Sequence, residues 1–88
     1  MILHVYSIFD MKASYFSAPF FMAHDALAMR AASDLAQDTS SAPGRHPADF
    51  ALMKLGSFDD QTATFELGQP QNLAVLTAFL QPKQGSLV

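Results

Sequence analysis

The feature that most constrains this chain is something it lacks: its 88 residues contain no cysteine. A domain of this length buries only about 60–65% of the surface its unfolded chain exposes, so its stability margin is narrow. Domains this small usually add a disulfide, a structural metal or a partner subunit. Without cysteine, disulfides and thiolate metal sites are both excluded. His4, His24 and His46 are far apart and show no ligand spacing, so no metal and no cofactor is expected. Self-association is the staple that remains, and an apolar fraction of 50% suits it.

Charge narrows the function classes. Five basic residues against eight acidic ones give a formal charge of −3. Duplex-DNA binders normally carry a basic surplus, because phosphate neutralisation supplies most of their nonspecific affinity. Here a nucleic acid needs a local basic patch, or an oligomer that gathers a few cations. The apolar start over 1–9 is too short to span a bilayer and has neither the basic beginning nor the cleavage site of a signal peptide. The expectation is a cytoplasmic protein without a membrane contact.

Patterning predicts one α+β domain over 1–81, with a mostly antiparallel sheet in β-β-α-β-β-α order, one long and one short helix, and a loose tail over 82–88. Residues 2–9 are β-branched and aromatic and apolar on both faces, as in a central strand. A turn over 10–14 leads to a second strand over 15–22, whose Pro19 marks it as an edge or irregular strand. The helix over Asp25–Ala36 places Leu27, Ala28, Ala31, Ala32 and Leu35 on one stripe, with Asp25 at the positive end of its dipole. A breaker-rich loop over 38–44 follows. Strands over 50–58 and 62–67 form a hairpin, with Ala63, Phe65 and Leu67 alternating against Thr62, Thr64 and Glu66. Pro70 then heads a short helix carrying Leu73, Leu76 and Leu80. One sheet face is covered by the long helix; the other needs the short helix or a second subunit.

No catalytic motif emerges. The serines have no nucleophile-elbow context, and Gly44, Gly56, Gly68 and Gly85 stand singly, without a phosphate-cradling loop. Asp59 and Asp60 can bind a cation through oxygen, but adjacent aspartates also suit a hairpin turn. His46, alone in a loop before Pro47, fits a surface or capping role. The chain is not expected to be an enzyme. Two binding modes remain. Single strands are gripped by aromatic platforms beside cations, and the candidates are Lys12, Tyr15, Phe16, Arg30, Arg45 and Lys54, with Tyr15 and Phe16 the most exposed after their turn. An apolar sheet edge also meets another subunit, and Phe20, Phe21 and Met22 form the candidate oligomer interface.

Particular residues also carry a family resemblance. Tyr6, Ser7, Ile8, Phe9, Asp10, Met11, Lys12 and Ala13 form a YSxxDxKA-type opening. Pro19, Phe20, Phe21, Asp25, Ala28 and Arg30 follow, spaced as PFFxxxDxxAxR. His46, Pro47, Asp49 and Phe50 come next, then Leu55, Gly56, Phe58, Asp59, Asp60 and Thr62. In this order and spacing, over 1–67, the chain resembles the small non-structural protein of gokushoviruses, the microvirus branch of single-stranded DNA bacteriophages. The segment with Leu73, Val75, Leu76 and Phe79 departs from that pattern. The resemblance implies a protein that is neither capsid, pilot nor replication initiator, commonly labelled DNA-binding and placed near replication and the switch to single-strand packaging. It supplies no site residues to carry over. The expectation is a non-enzymatic phage accessory protein in the host cytoplasm, a homo-oligomer that binds single-stranded DNA. The alternative is an interaction module that binds a host or viral protein without touching nucleic acid.

Overall fold

The computed structural model describes residues 1–80. Five strands and two helices occur in the order β-β-β-α-α-β-β: β1 (Ile2–Asp10), β2 (Tyr15–Phe16), β3 (Phe20–Met22), α1 (Asp25–Ala36), α2 (Ala42–Arg45), β4 (Phe50–Asp59) and β5 (Thr64–Val75), with 3-10 turns at Pro47–Asp49 and Leu76–Phe79. All pairings are antiparallel. β1 lies at the centre with β4 on one side, and β5 forms the far edge. β2 and β3 share the other edge of β1. The α+β class and the antiparallel sheet agree with the sequence reading; the element order differs in three places, the split second strand, the C-terminal segment and the added helix α2.

The first difference is the expected strand over 15–22, which is split. Ser17 interrupts it: its backbone N–H donates to the Ile8 carbonyl at 2.8 Å, while its Oγ accepts from the Ile8 N–H at 3.0 Å. The Ser7 hydroxyl donates to the Ser17 carbonyl at 2.9 Å. A side-chain oxygen thus replaces a ladder acceptor just before Pro19, which has no donor to offer.

The second difference is the C-terminal segment. Pro70 does not start a helix; β5 runs straight through it. Two circumstances permit this. β5 is an edge strand, and pairing jumps from Lys54↔Gln71 to Gly56↔Leu67, so Gly68, Gln69 and Pro70 form a bulge outside the ladder. The helical spacing of Leu73, Leu76 and Leu80 is overridden because Ala74 and Val75 complete the pairing with Leu52 and Ala51. Only the 3-10 turn at Leu76–Phe79 remains, and it buries Leu76 completely. The breaker-rich loop over 38–44 also contains part of α2, with Ser41 accepting from the Gly44 N–H at 3.0 Å as its N-cap. The tail over 82–88 lies outside the described residues.

The core sits on one face of the sheet. Ala28, Ala32 and Ala36 of α1 pack on Tyr6, Ile8, Leu52 and Leu76. Alanine at four-residue spacing lets the helix approach closely, while Leu27 of the expected stripe remains 41% exposed. These core positions lie in the half of the sheet near Ile8 and Leu52, the proximal half. The distal half, formed by the start of β1, the end of β4 and the start of β5, extends beyond α1; residues 64–72 are all exposed. The radius of gyration, 14.4 Å, exceeds the roughly 12 Å of a compact domain this long.

On the face opposite α1 the pairs Val5↔Phe21, Phe58↔Phe65 and Leu3↔Phe58 line up. The sheet curls over this face. Phe21 and Phe65 are three strands apart, about 14 Å in a flat sheet, yet their ring centroids are 6.2 Å apart. Phe58 lies between them, 5.6 Å from Phe21 and 4.6 Å from Phe65. Gly56 permits the curl: its φ is 156°, and a Cβ there would run into the Glu66 carbonyl oxygen.

Candidate nucleic-acid interface

The expected single-strand contact residues fall into three groups. The first is the hairpin joining β1 and β2. Asp10 shapes its turn, its Oδ1 accepting from the backbone N–H groups of Lys12 and Ala13, both at 3.0 Å. This is the aspartate turn chemistry expected over 10–14, and it leaves Ser14 at φ 62°. The turn holds Lys12 in solvent, in no ion pair among the described residues. Tyr15 and Phe16 follow it, 61% and 40% exposed. Adjacent strand residues point to opposite faces: Phe16 joins Phe9, ring centroids 4.5 Å apart, while Tyr15 lies on the α1 side.

There Tyr15 borders a cleft of about 450 Å³ whose lining includes Ile8, Phe20, Leu35, Pro43 and Phe50. Ligand clefts of this size are typically apolar with a few polar groups, and here those are Asp10, Ser17 and the Tyr15 hydroxyl. One wall is β2 with its turn, which carries Lys12. The opposite wall includes Ala42 and Pro43 of α2, which ends in Arg45. Arg45 itself is exposed, and its Nη1 donates to the carbonyls of Ser40 at 3.1 Å and Thr39 at 3.4 Å. Lys12 and Arg45 each stand two positions from a lining residue, Asp10 and Pro43, and Asp10 contributes a negative charge to the cleft.

The other cations stand elsewhere. Arg30 is exposed on α1 and forms no ion pair among the described residues. Lys54 is committed, its Nζ 3.0 Å from Asp25 Oδ1. That carboxylate also accepts from the buried Tyr6 hydroxyl at 2.6 Å. The hydrogen bond from Tyr6 and then that from Lys54 hold the Asp25 carboxyl below its ordinary range, the nearby His4 charge adding least. Burial first, then Asp25, pushes the Tyr6 phenol well above its usual value. The three residues tie the start of α1 to the sheet, where His24 provides no side-chain cap.

The candidate oligomer residues divide as well. Phe20 and Met22 pack against the core, and Phe21 faces the other way into the aromatic cluster. Phe58 and Phe65, its companions there, were not among the sequence candidates; their two-residue alternation around the β4–β5 turn is the signal that pairs them. Asp59 and Asp60 are at that turn: Asp59 accepts from the Gln61 N–H at 2.9 Å and Asp60 pairs with the amino terminus at 2.7 Å. Among the described residues no cluster of three or more His, Asp or Glu is placed to hold a metal, and no helix is long and apolar enough to cross a membrane.

No curated protein and no solved structure matches the chain. A family model described as Phage ORF5 protein matches residues 3–79, from β1 through the last 3-10 turn, and the chain therefore belongs to the Phage ORF5 protein family.

Proposed function

We propose that this phage protein is a non-catalytic accessory factor of gokushovirus type that acts in the host cytoplasm, binding single-stranded DNA as an oligomer during replication or the switch to genome packaging. The observation that carries the reading is the β1–β2 hairpin: Tyr15 and Phe16 expose large ring surfaces next to the solvent-exposed Lys12. Every base has a stackable face, so such rings bind a strand without regard to sequence. Tyr15 adds an apolar cleft at its side into which a base can turn, with Lys12 and Arg45 available for the flanking phosphates.

The charge balance sets the character of the binding. With Lys12 and Arg45 as the phosphate contacts, two per subunit, the logarithm of affinity should fall against the logarithm of salt with a slope of about −1.4 per subunit. An electrophoretic shift with a labelled single strand, repeated across salt concentrations, measures this. Tyr15→Ala should weaken binding by about 1–3 kcal/mol if the ring stacks on a base. An unchanged affinity removes Tyr15 from the contact. The net charge of −3 favours the rival reading, an interaction module for a host or viral protein; the absence of any shift at micromolar protein would select it.

A further inference from the structure

We propose that a second copy of this chain docks on the distal ribbon, pairing with the free edge of β5 over residues 64–66 and joining the Phe21–Phe58–Phe65 clusters of the two copies into one. The proposal deepens the oligomer part of the function above and does not depend on DNA.

One patch of exposed apolar surface lies here. Phe21, Phe65 and Leu67 are 40%, 50% and 63% exposed, which leaves roughly 300 Å² of apolar side chain open per copy, as large as a functional surface patch on a typical monomer. The strand edge beneath it is open too. Free edges are usually blunted by lysine, proline or a bulge. β5 has these defences at its middle, in Gly68 to Pro70; residues 64–67 have no lysine, proline or bulge, and only the single charge of Glu66. A two-fold operator makes the same patch meet itself.

Charge identifies the occupant. Leu3, Val5, Phe21, Phe58, Phe65 and Leu67 present no ionisable group on this face, so two copies of charge −3 bring no carboxylates together across it. A nucleic acid would find no cation there. Glu66 is the one charge on the segment, and it points to the opposite face. It also fixes the register. With the two-fold axis at Phe65, each Phe65 lies opposite its copy and each Glu66 opposite Thr64 of the other chain. With the axis at Glu66, two carboxylates would be directly opposed, which is unfavourable.

Light scattering on the purified protein, without nucleic acid, provides the test. The wild type should run at twice the 9.6 kDa chain mass. Leu67→Lys puts a charge beside the joined clusters and should raise the dissociation constant about 30-fold or more, while leaving circular dichroism unchanged. Because the chain has no cysteine, Phe65→Cys provides a second readout: mild oxidation should link two copies covalently, whereas Gln37→Cys on the exposed end of α1 should not link. A wild type that stays monomeric to near-millimolar concentration overturns both this interface and the oligomer reading. An oligomer that Leu67→Lys leaves intact overturns the interface alone, as does a Phe65→Cys protein that fails to link, including the case in which Leu67→Lys does not fold.

Discussion

Replacing Tyr6 with phenylalanine tests how this small domain attaches its one long helix to the sheet. Tyr6 is fully buried, its ring 5.7 Å from that of Phe20, and the substitution leaves that packing in place. What goes is the 2.6 Å hydrogen bond from its hydroxyl to Asp25. A hydrogen bond to a charged group contributes about 1.5–3 kcal/mol. The Asp25 side chain is 40% exposed, so water replaces part of the loss and the expected cost falls to about 1 kcal/mol. For a domain of this size that lowers Tm by about 4–8 °C. Asp25 has a depressed pKa in the fold, so its contribution is complete above the unfolded carboxylate value of about 3.9 and is lost as pH falls through the folded value. Thermal unfolding followed by circular dichroism should therefore show the gap at pH 7 and a narrower gap as the pH falls below the ordinary carboxylate value. The raised Tyr6 pKa acts in the other direction. Its contribution is complete below the ordinary phenol value of about 10 and is lost at higher pH, a loss that Tyr6→Phe does not share. Equal Tm values at pH 7, or a gap that persists undiminished in acid, would refute the account.

Three further substitutions test the rest of the frame by denaturant titration. Gly56→Ala forces a Cβ into the Glu66 carbonyl at a positive φ and should cost about 2 kcal/mol or more. Ala63 holds a φ of 60° in the β4–β5 turn; Ala63→Gly should stabilise by about 0.5–1 kcal/mol, the relieved strain exceeding the added chain entropy. Leu76→Ala should cost about 2–5 kcal/mol, because the 3-10 turn closes the core and leaves a cavity when truncated.

The reading from sequence succeeded where local chemistry and tertiary demand coincide. The run of alanines in α1 and the aspartate turn at Asp10 each act over a few residues and formed as expected. The hairpin around Phe65 formed too, though its second strand starts at Thr64 instead of Thr62 and runs on to Val75 with 64–72 exposed. Failure came where distant pairing decides. Pro70 and the leucines after it have a sound local helix pattern, but β4 is ten residues long and needs a partner along its length. The split at Ser17 depends on its hydroxyl meeting Ile8 across the ladder, which no window of sequence reveals. Among the candidate contacts, exposure of Tyr15 and Phe16 was legible from their turn. That Lys54 is paired was not, because its partner Asp25 is 29 positions earlier (54 − 25) and meets it only through the sheet.

The kink at Gly68 to Pro70 has a consequence for how the β4–β5 arm finds its alignment. A ribbon with apolar rings on one side tolerates slippage by two residues, since every side chain keeps its face. Here such a shift would drag the imino ring into the hydrogen-bonded ladder or strand the extra residues opposite an already filled partner. The irregularity therefore works as an index mark. It confines the arm to a single alignment and keeps the aromatic cluster in one place, although most of the arm lies beyond the reach of the helix that organises the rest.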